Sequence, residues 1–244
     1  MLLPVKDDNP VEFVSFQYVT IAIIVLCTLV YLVDFWVIGV EDGYLSYAAA
    51  VGGFHPGTLL NGTPVAEGAL PPLYSIFASM FIHGGFWHFA GNMLFLWIFG
   101  DNVEDALGHV KYLAFYLISG IAATLAFAVT TADVNTVLIG ASGAIAGVMG
   151  GYLVLYPKVW LWALLAKIIP LKVPAVAMIG LWFVIQFVSL GDDEAGVAWM
   201  AHIGGFIFGA ALMMVLKITG QTHPIGADGH RIRDNRSFVP KVAR

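Results

Sequence analysis

Residues 138–157 read LIGASGAIAGVMGGYLVLYP, with no charged side chain and a glycine at 140, 143, 147, 150 and 151. A helix that is apolar all round belongs inside protein or lipid. Gly143-xxx-Gly147 and Gly147-xxx-Gly151 present small residues on one face, the pattern by which membrane helices approach closely. From Ser142 to Tyr156 such a helix covers only about 22 Å, less than a hydrocarbon core of about 30 Å. It therefore starts below the surface, and the backbone before it dips inward, which requires surrounding protein or a wet cavity.

Working outward, apolar runs of similar character lie at about 15–38, 78–100, 112–130, 174–190 and 196–217. Over 244 residues, 59% are hydrophobic and 11% charged, against about 25% charged in a soluble domain. The expected fold is an all-α membrane protein with six transmembrane helices and a long outer loop between the first two. The first apolar run is too long for the core of a secretory signal. Cys27, the single cysteine, sits in that run as a small hydrophobe.

Charge placement orients the chain. With six spans, Lys6, Lys111, Lys158, Lys167, Lys172, Lys217 and the basic tail fall on one side. The opposite loops hold no Lys or Arg and carry Glu41, Asp42, Glu67, Asp133, Asp192, Asp193 and Glu194. The positive-inside rule places both termini in the cytoplasm. The expected organisation is a cytoplasmic tail at 1–14, a membrane domain at 15–217 and a basic cytoplasmic tail at 218–244. The outer loop from about Glu41 to Pro72 is apolar enough to pack at the bilayer edge.

Polar side chains inside spans generally face the bundle interior and mark function. Ser142 near the start of the fourth run, His202 in the sixth, and His88 and Asn92 in the second all reach one layer below the outer surface. An imidazole can take the proton of a serine hydroxyl and make it a nucleophile. The Ser142 backbone N–H at a helix N-terminus, with His88 and Asn92 one turn apart, could hold a developing oxyanion. His83, His88 and His202 are the only grouping that suggests zinc, but no HExxH motif or neighbouring acid accompanies them. Asp34 is the acid available within a span, and it reads better as a loop anchor than as the third member of a triad.

His83-Gly-Gly-Phe-Trp-His88-Phe-Ala-Gly-Asn92, Gly140-Ala-Ser142-Gly143 and Ala201-His202-Ile-Gly-Gly205-xxx-Gly209 follow one another in order. Together they resemble the rhomboid family of intramembrane serine proteases. The resemblance implies a six-helix core and a serine endopeptidase acting through a Ser142–His202 dyad. His88, Asn92 and Ser142 would form the oxyanion hole. His83 would hold the first loop, Gly140, Gly143, Gly205 and Gly209 would shape the site, and about Ser189–Gly196 would cap it. Many members carry Trp-Arg where this chain has Tyr74-Ser75, and some place an aromatic residue where it has Ala146.

The expected partners are single-span or multi-span membrane proteins and the bilayer itself, with no nucleic acid, metal or organic cofactor. The expected location is a multi-pass position in a prokaryotic plasma membrane, since no targeting segment or appended domain is evident. Two other classes fit the composition. A non-proteolytic rhomboid-like protein that binds membrane clients would usually lack the dyad. A small transporter would show symmetry between halves and an ionisable site at the midplane.

Overall fold

The computed structural model describes residues 2–35, 47–63, 67–131, 133–165, 168–190, 197–226, 228 and 230. Strand β1 (Leu2–Asp7) precedes helix α1 (Tyr18–Val33). The long loop carries three short helices, α2 (Tyr47–Gly52), α3 (Pro56–Asn61) and α4 (Pro72–Ala78). Then come α5 (Phe86–Leu107), α6 (His109–Thr130), α7 (Ser142–Leu155), strands β2 (Trp160–Leu165) and β3 (Ile169–Pro174), α8 (Ala175–Val188) and α9 (Trp199–Ile218).

Helices α1 and α5 to α9 thus occupy the six apolar runs. Among the described residues, α6 and α9 are long and apolar enough to cross a bilayer, whereas α1, α7 and α8 are apolar but shorter. Helix α5 is 22 residues long but carries Asp101, Glu104 and Asp105 near its end. Large apolar side chains cover the outside. Leu29 on α1, Val129 on α6, Val188 on α8 and Val215 on α9 are all more than half exposed. Inside lie Ser119, Thr124, Asn92 and Gln186. An apolar exterior around polar interior groups suits hydrocarbon as solvent.

Helix α7 is the centre of this arrangement, with residues from Gly143 to Tyr152 continuously buried. Its contact with α9 is backbone against backbone. A Cβ on Gly205 would collide with the Gly143 carbonyl, one on Gly209 with the Gly147 carbonyl, and one on Gly150 with the Phe206 carbonyl. Lipid offers apolar side chains little reason to leave it, so close packing between helices supplies the association energy.

The all-α expectation needs correction, and the expected tail at 1–14 contributes a strand. Strands β1, β2 and β3 form an antiparallel sheet in that order, with Leu2 opposite Leu165 and Trp160 opposite Pro174. Pro170 and Pro174 remove backbone donors and disfavour helix between α7 and α8. The β-branched and aromatic content there suits strands instead. Lys172 reaches Asp8 at 2.6 Å and holds that carboxyl below its ordinary range. The start of the tail at 218–244 is also packed: Phe13 stacks on His223 at 4.5 Å, and the His223 N–H donates to the Ala106 carbonyl.

Two carboxylates from the end of α5 fix the entry to α1. Gln17, the residue before α1, makes no side-chain cap. The buried Glu104 accepts instead from the N–H groups of Val19 and Thr20 and from the Thr20 hydroxyl, at 2.7–2.9 Å. Asp105 accepts from the N–H groups of Glu12, Phe13 and Val14 at 2.7–3.0 Å. These bonds satisfy donors that a helix start leaves unpaired, and negative charge is favoured at that end.

Gly209→Ala should cost about 1–3 kcal/mol through overpacking against the Gly147 backbone. Gly180→Ala, where a Cβ meets open space, should stabilise α8 slightly; unfolding temperatures in detergent compare the two. A second expectation concerns Asp7, whose carboxyl burial pushes up from 3.8 to about 6, against the pull of the Tyr152 hydroxyl that donates to it. The folded state then binds this proton more tightly than the unfolded state. Its penalty is absent below about pH 4, grows as the pH rises to about 6 and reaches roughly 3 kcal/mol at most. Asp7→Asn should therefore raise the unfolding temperature at pH 8 while leaving it nearly unchanged at pH 4.

Candidate active site

The turn into α7 is built by glycine and by the long loop. Gly140 has φ +115°, a conformation that a side chain strains and glycine adopts freely. Its N–H donates to the Ser79 carbonyl at 2.8 Å, in the 3-10 turn Ser79–Phe81 that follows α4. Just upstream, Leu138 and Phe54 exchange two backbone hydrogen bonds at 2.8 and 3.0 Å. The loop between α1 and α5 thus holds the segment that delivers Ser142 to the first position of α7.

His202 lies in the first turn of α9, facing that position. Its Nε2 is 2.8 Å from the Ser142 hydroxyl oxygen. Both residues are half-buried. The close crossing of α7 and α9 one turn farther in explains how 60 residues of separation collapse to a hydrogen bond.

On its other side the imidazole meets a residue that the sequence reading missed. Nδ1 of His202 lies 2.8 Å from Oε1 of Gln186 on α8, while Nε2 of Gln186 donates to the Trp182 carbonyl at 2.9 Å. A carbonyl only accepts, so the amide nitrogen must face Trp182 and the amide oxygen must face His202. Nδ1 then carries the proton, and the lone pair on Nε2 faces the serine. That tautomer can accept a proton from Ser142. Trp182 and Trp199 frame the ring at centroid distances of 5.9 and 6.3 Å. The available signal in the sequence was a lone amide in the span at 174–190.

The other expected residues divide. His88 is exposed at the start of α5, and its ring covers Gly140. A Cβ there would be 2.6 Å from His88 Nε2 and 3.7 Å from the Ser142 oxygen, so both groups border one small space. Asn92 is buried and donates one N–H to the His88 carbonyl at 2.9 Å, which leaves a second N–H on the same nitrogen. The buried His83 ring stands edge-on to His88 at 5.2 Å and to Phe89 at 5.7 Å. Asp34 accepts from the Ala48 N–H at 3.2 Å and so anchors α2. The cap expected at Ser189–Gly196 lies mostly outside the described residues, as do Glu41, Asp42, Asp192, Asp193, Glu194, Lys167 and the tail from Arg231 onward.

Residues 71–218, which contain His83, His88, Asn92, Ser142, Gln186 and His202, match the family model of the rhomboid domain. The chain belongs to the rhomboid family. Rhomboid proteins are membrane-embedded, which accounts for the apolar exterior. The chain is 28% identical over 148 residues to RHOMBOID-like protein 5 of Arabidopsis thaliana, covering 61% of this chain and 45% of that one. It is 34% identical over 147 residues to the mitochondrial Rhomboid protein 1 of Saccharomyces cerevisiae, covering 55% and 39%. To the Rhomboid protease AarA of Providencia stuartii it is 31% identical over 147 residues, covering 55% and 52%. The chain spans about half the length of the curated relatives it matches. Rhomboid relatives from a mitochondrion, a chloroplast and a bacterium leave a prokaryotic plasma membrane without specific support.

Proposed function

We propose that this rhomboid protein is an intramembrane serine endopeptidase that cuts membrane-spanning segments of other proteins. The 2.8 Å approach of Ser142 to His202 carries the reading. A hydroxyl and an imidazole inside an apolar bundle are costly to bury without a use, and this pair is oriented for proton transfer.

In this mechanism Ser142 attacks the scissile carbonyl carbon while His202 Nε2 takes the hydroxyl proton. The carbonyl oxygen becomes an oxyanion, met by the Ser142 N–H, His88 and the free N–H of Asn92. Collapse breaks the peptide C–N bond, and His202 returns the proton to the departing nitrogen. Water, activated by the same imidazole, then hydrolyses the acyl-enzyme. Nothing in these steps requires a metal or an organic cofactor.

The same reading treats α1 and α5 to α9 as six spans. The end bearing the β-sheet, Lys111 and Lys217 would then be cytoplasmic, because positive charge collects there. Lys217 donates to the Val154 carbonyl and Lys111 to Gln221, so these cations share one end of the bundle. The dyad would sit toward the opposite, outer side. A helical substrate hides its peptide bonds in its own hydrogen bonds. Segments with Gly, Pro or polar residues beside small ones should therefore be preferred, since they unwind at lower cost.

The test uses purified full-length protein and a single-span substrate in detergent. Ser142→Ala and His202→Ala should each lower the cleavage rate at least about 1,000-fold. His88→Ala or Asn92→Ala should lower kcat about 100-fold, as loss of one oxyanion donor does. Wild-type cleavage by Ser142→Ala would sink the assignment.

A further inference from the structure

We infer that Gln186 is a positioning residue for His202: its side-chain amide sets the tautomer and the orientation of the imidazole that faces Ser142. The inference rests on the serine-protease reading above and deepens it.

The first observation is the burial of Gln186. It is 3% exposed on a helix that otherwise reads AVAMIGLWFVI before it and FV after it. A primary amide in such surroundings is costly unless its donors and acceptor are bonded. The second is how those bonds run. One amide N–H is spent on the carbonyl of Trp182, one turn back on the same helix. That bond fixes which way the amide points, so the oxygen is left toward Nδ1 of His202 at 2.8 Å. A glutamine held by its own helix in this manner is a preset acceptor.

The third observation is how the ring is surrounded. Trp182 meets the imidazole at a tilt of 34° and Trp199 meets it edge-on. Trp182 and Trp199 limit where the ring lies, yet packing alone does not distinguish one ring nitrogen from the other. Only a directed hydrogen bond does so. When Nε2 takes the Ser142 proton, the ring becomes a cation, and the bond from Nδ1–H to the Gln186 oxygen becomes charge-assisted and stronger. Gln186 therefore favours the protonated imidazole without itself gaining or losing a proton. A neutral amide gives less stabilisation than a carboxylate, and in return it leaves no net charge buried among the tryptophans.

Three variants test this in the purified full-length protein, with Ser142-dependent cleavage of the single-span substrate established first. Gln186→Leu keeps the volume and removes the acceptor. It should lower kcat about 100-fold, less than the roughly 10⁴-fold that follows loss of a charged orienting partner, with KM within about twofold. Gln186→Glu keeps an acceptor toward Nδ1 and should recover kcat to within about tenfold of the wild type. Gln186→Met, apolar and flexible, should behave as the leucine variant does. If wild-type cleavage does not depend on Ser142, the protease reading itself falls. If it does depend on Ser142, three results each overturn the role of Gln186: full kcat in Gln186→Leu, a loss carried by KM with kcat unchanged, or a glutamate variant as slow as leucine.

Discussion

Helices α7 and α9 touch through their backbones, and the rest of the molecule is arranged around that contact. Glycine at 143, 147, 150, 205 and 209 removes the side chains that would hold the two axes apart. In a bilayer this matters more than in water, because apolar side chains gain little by leaving lipid for protein. Close approach gains dispersion contacts over the whole length of the crossing. It also sets the distance between the first turns of the two helices, where Ser142 and His202 stand.

A crossing of this kind needs its outer ends held, and the two ends are held differently. Near Ser142 the restraint is the long loop. Phe54 pairs with Leu138, and Ser79 binds the Gly140 N–H, so a backbone with no regular structure is tied down by three hydrogen bonds. At the far end the restraint is electrostatic. Glu104 and Asp105 reach from α5 to gather five backbone N–H groups around the start of α1. The sheet of β1, β2 and β3 then ties the N-terminus to the link between α7 and α8. Each device answers the same demand, that buried backbone polar groups find partners.

The candidate site inherits its geometry from three helices at once. Helix α7 brings the hydroxyl, α9 the imidazole and α8 the amide that orients it. Helix α5 contributes His88 and Asn92 from a fourth direction. Ser142, His202 and Gln186 bond one another and the Trp182 carbonyl, which permits them to stand inside an apolar bundle.

Much of this was legible in the residues. Helices α1 and α5 to α9 follow from hydropathy, because a run of apolar side chains long enough to matter is visible without knowing its neighbours. Ser142, His88, Asn92 and His202 stand out for the opposite reason, as polar groups where lipid forbids them. What the sequence alone determined is therefore which segments are buried and which polar groups intrude. The β-sheet was not legible: residues 160–174 are apolar between two apolar helices, and their hydrogen-bond partner, Leu2–Asp7, is more than 150 positions away. Nor was the role of Glu104 and Asp105 as caps for a helix 85 residues earlier, or the meeting of Gln186 with His202. Those pairings join groups whose local surroundings say nothing of each other. Only the tertiary structure decides them, because a hydrogen bond depends on distance and angle to within a fraction of an ångström, and packing sets both.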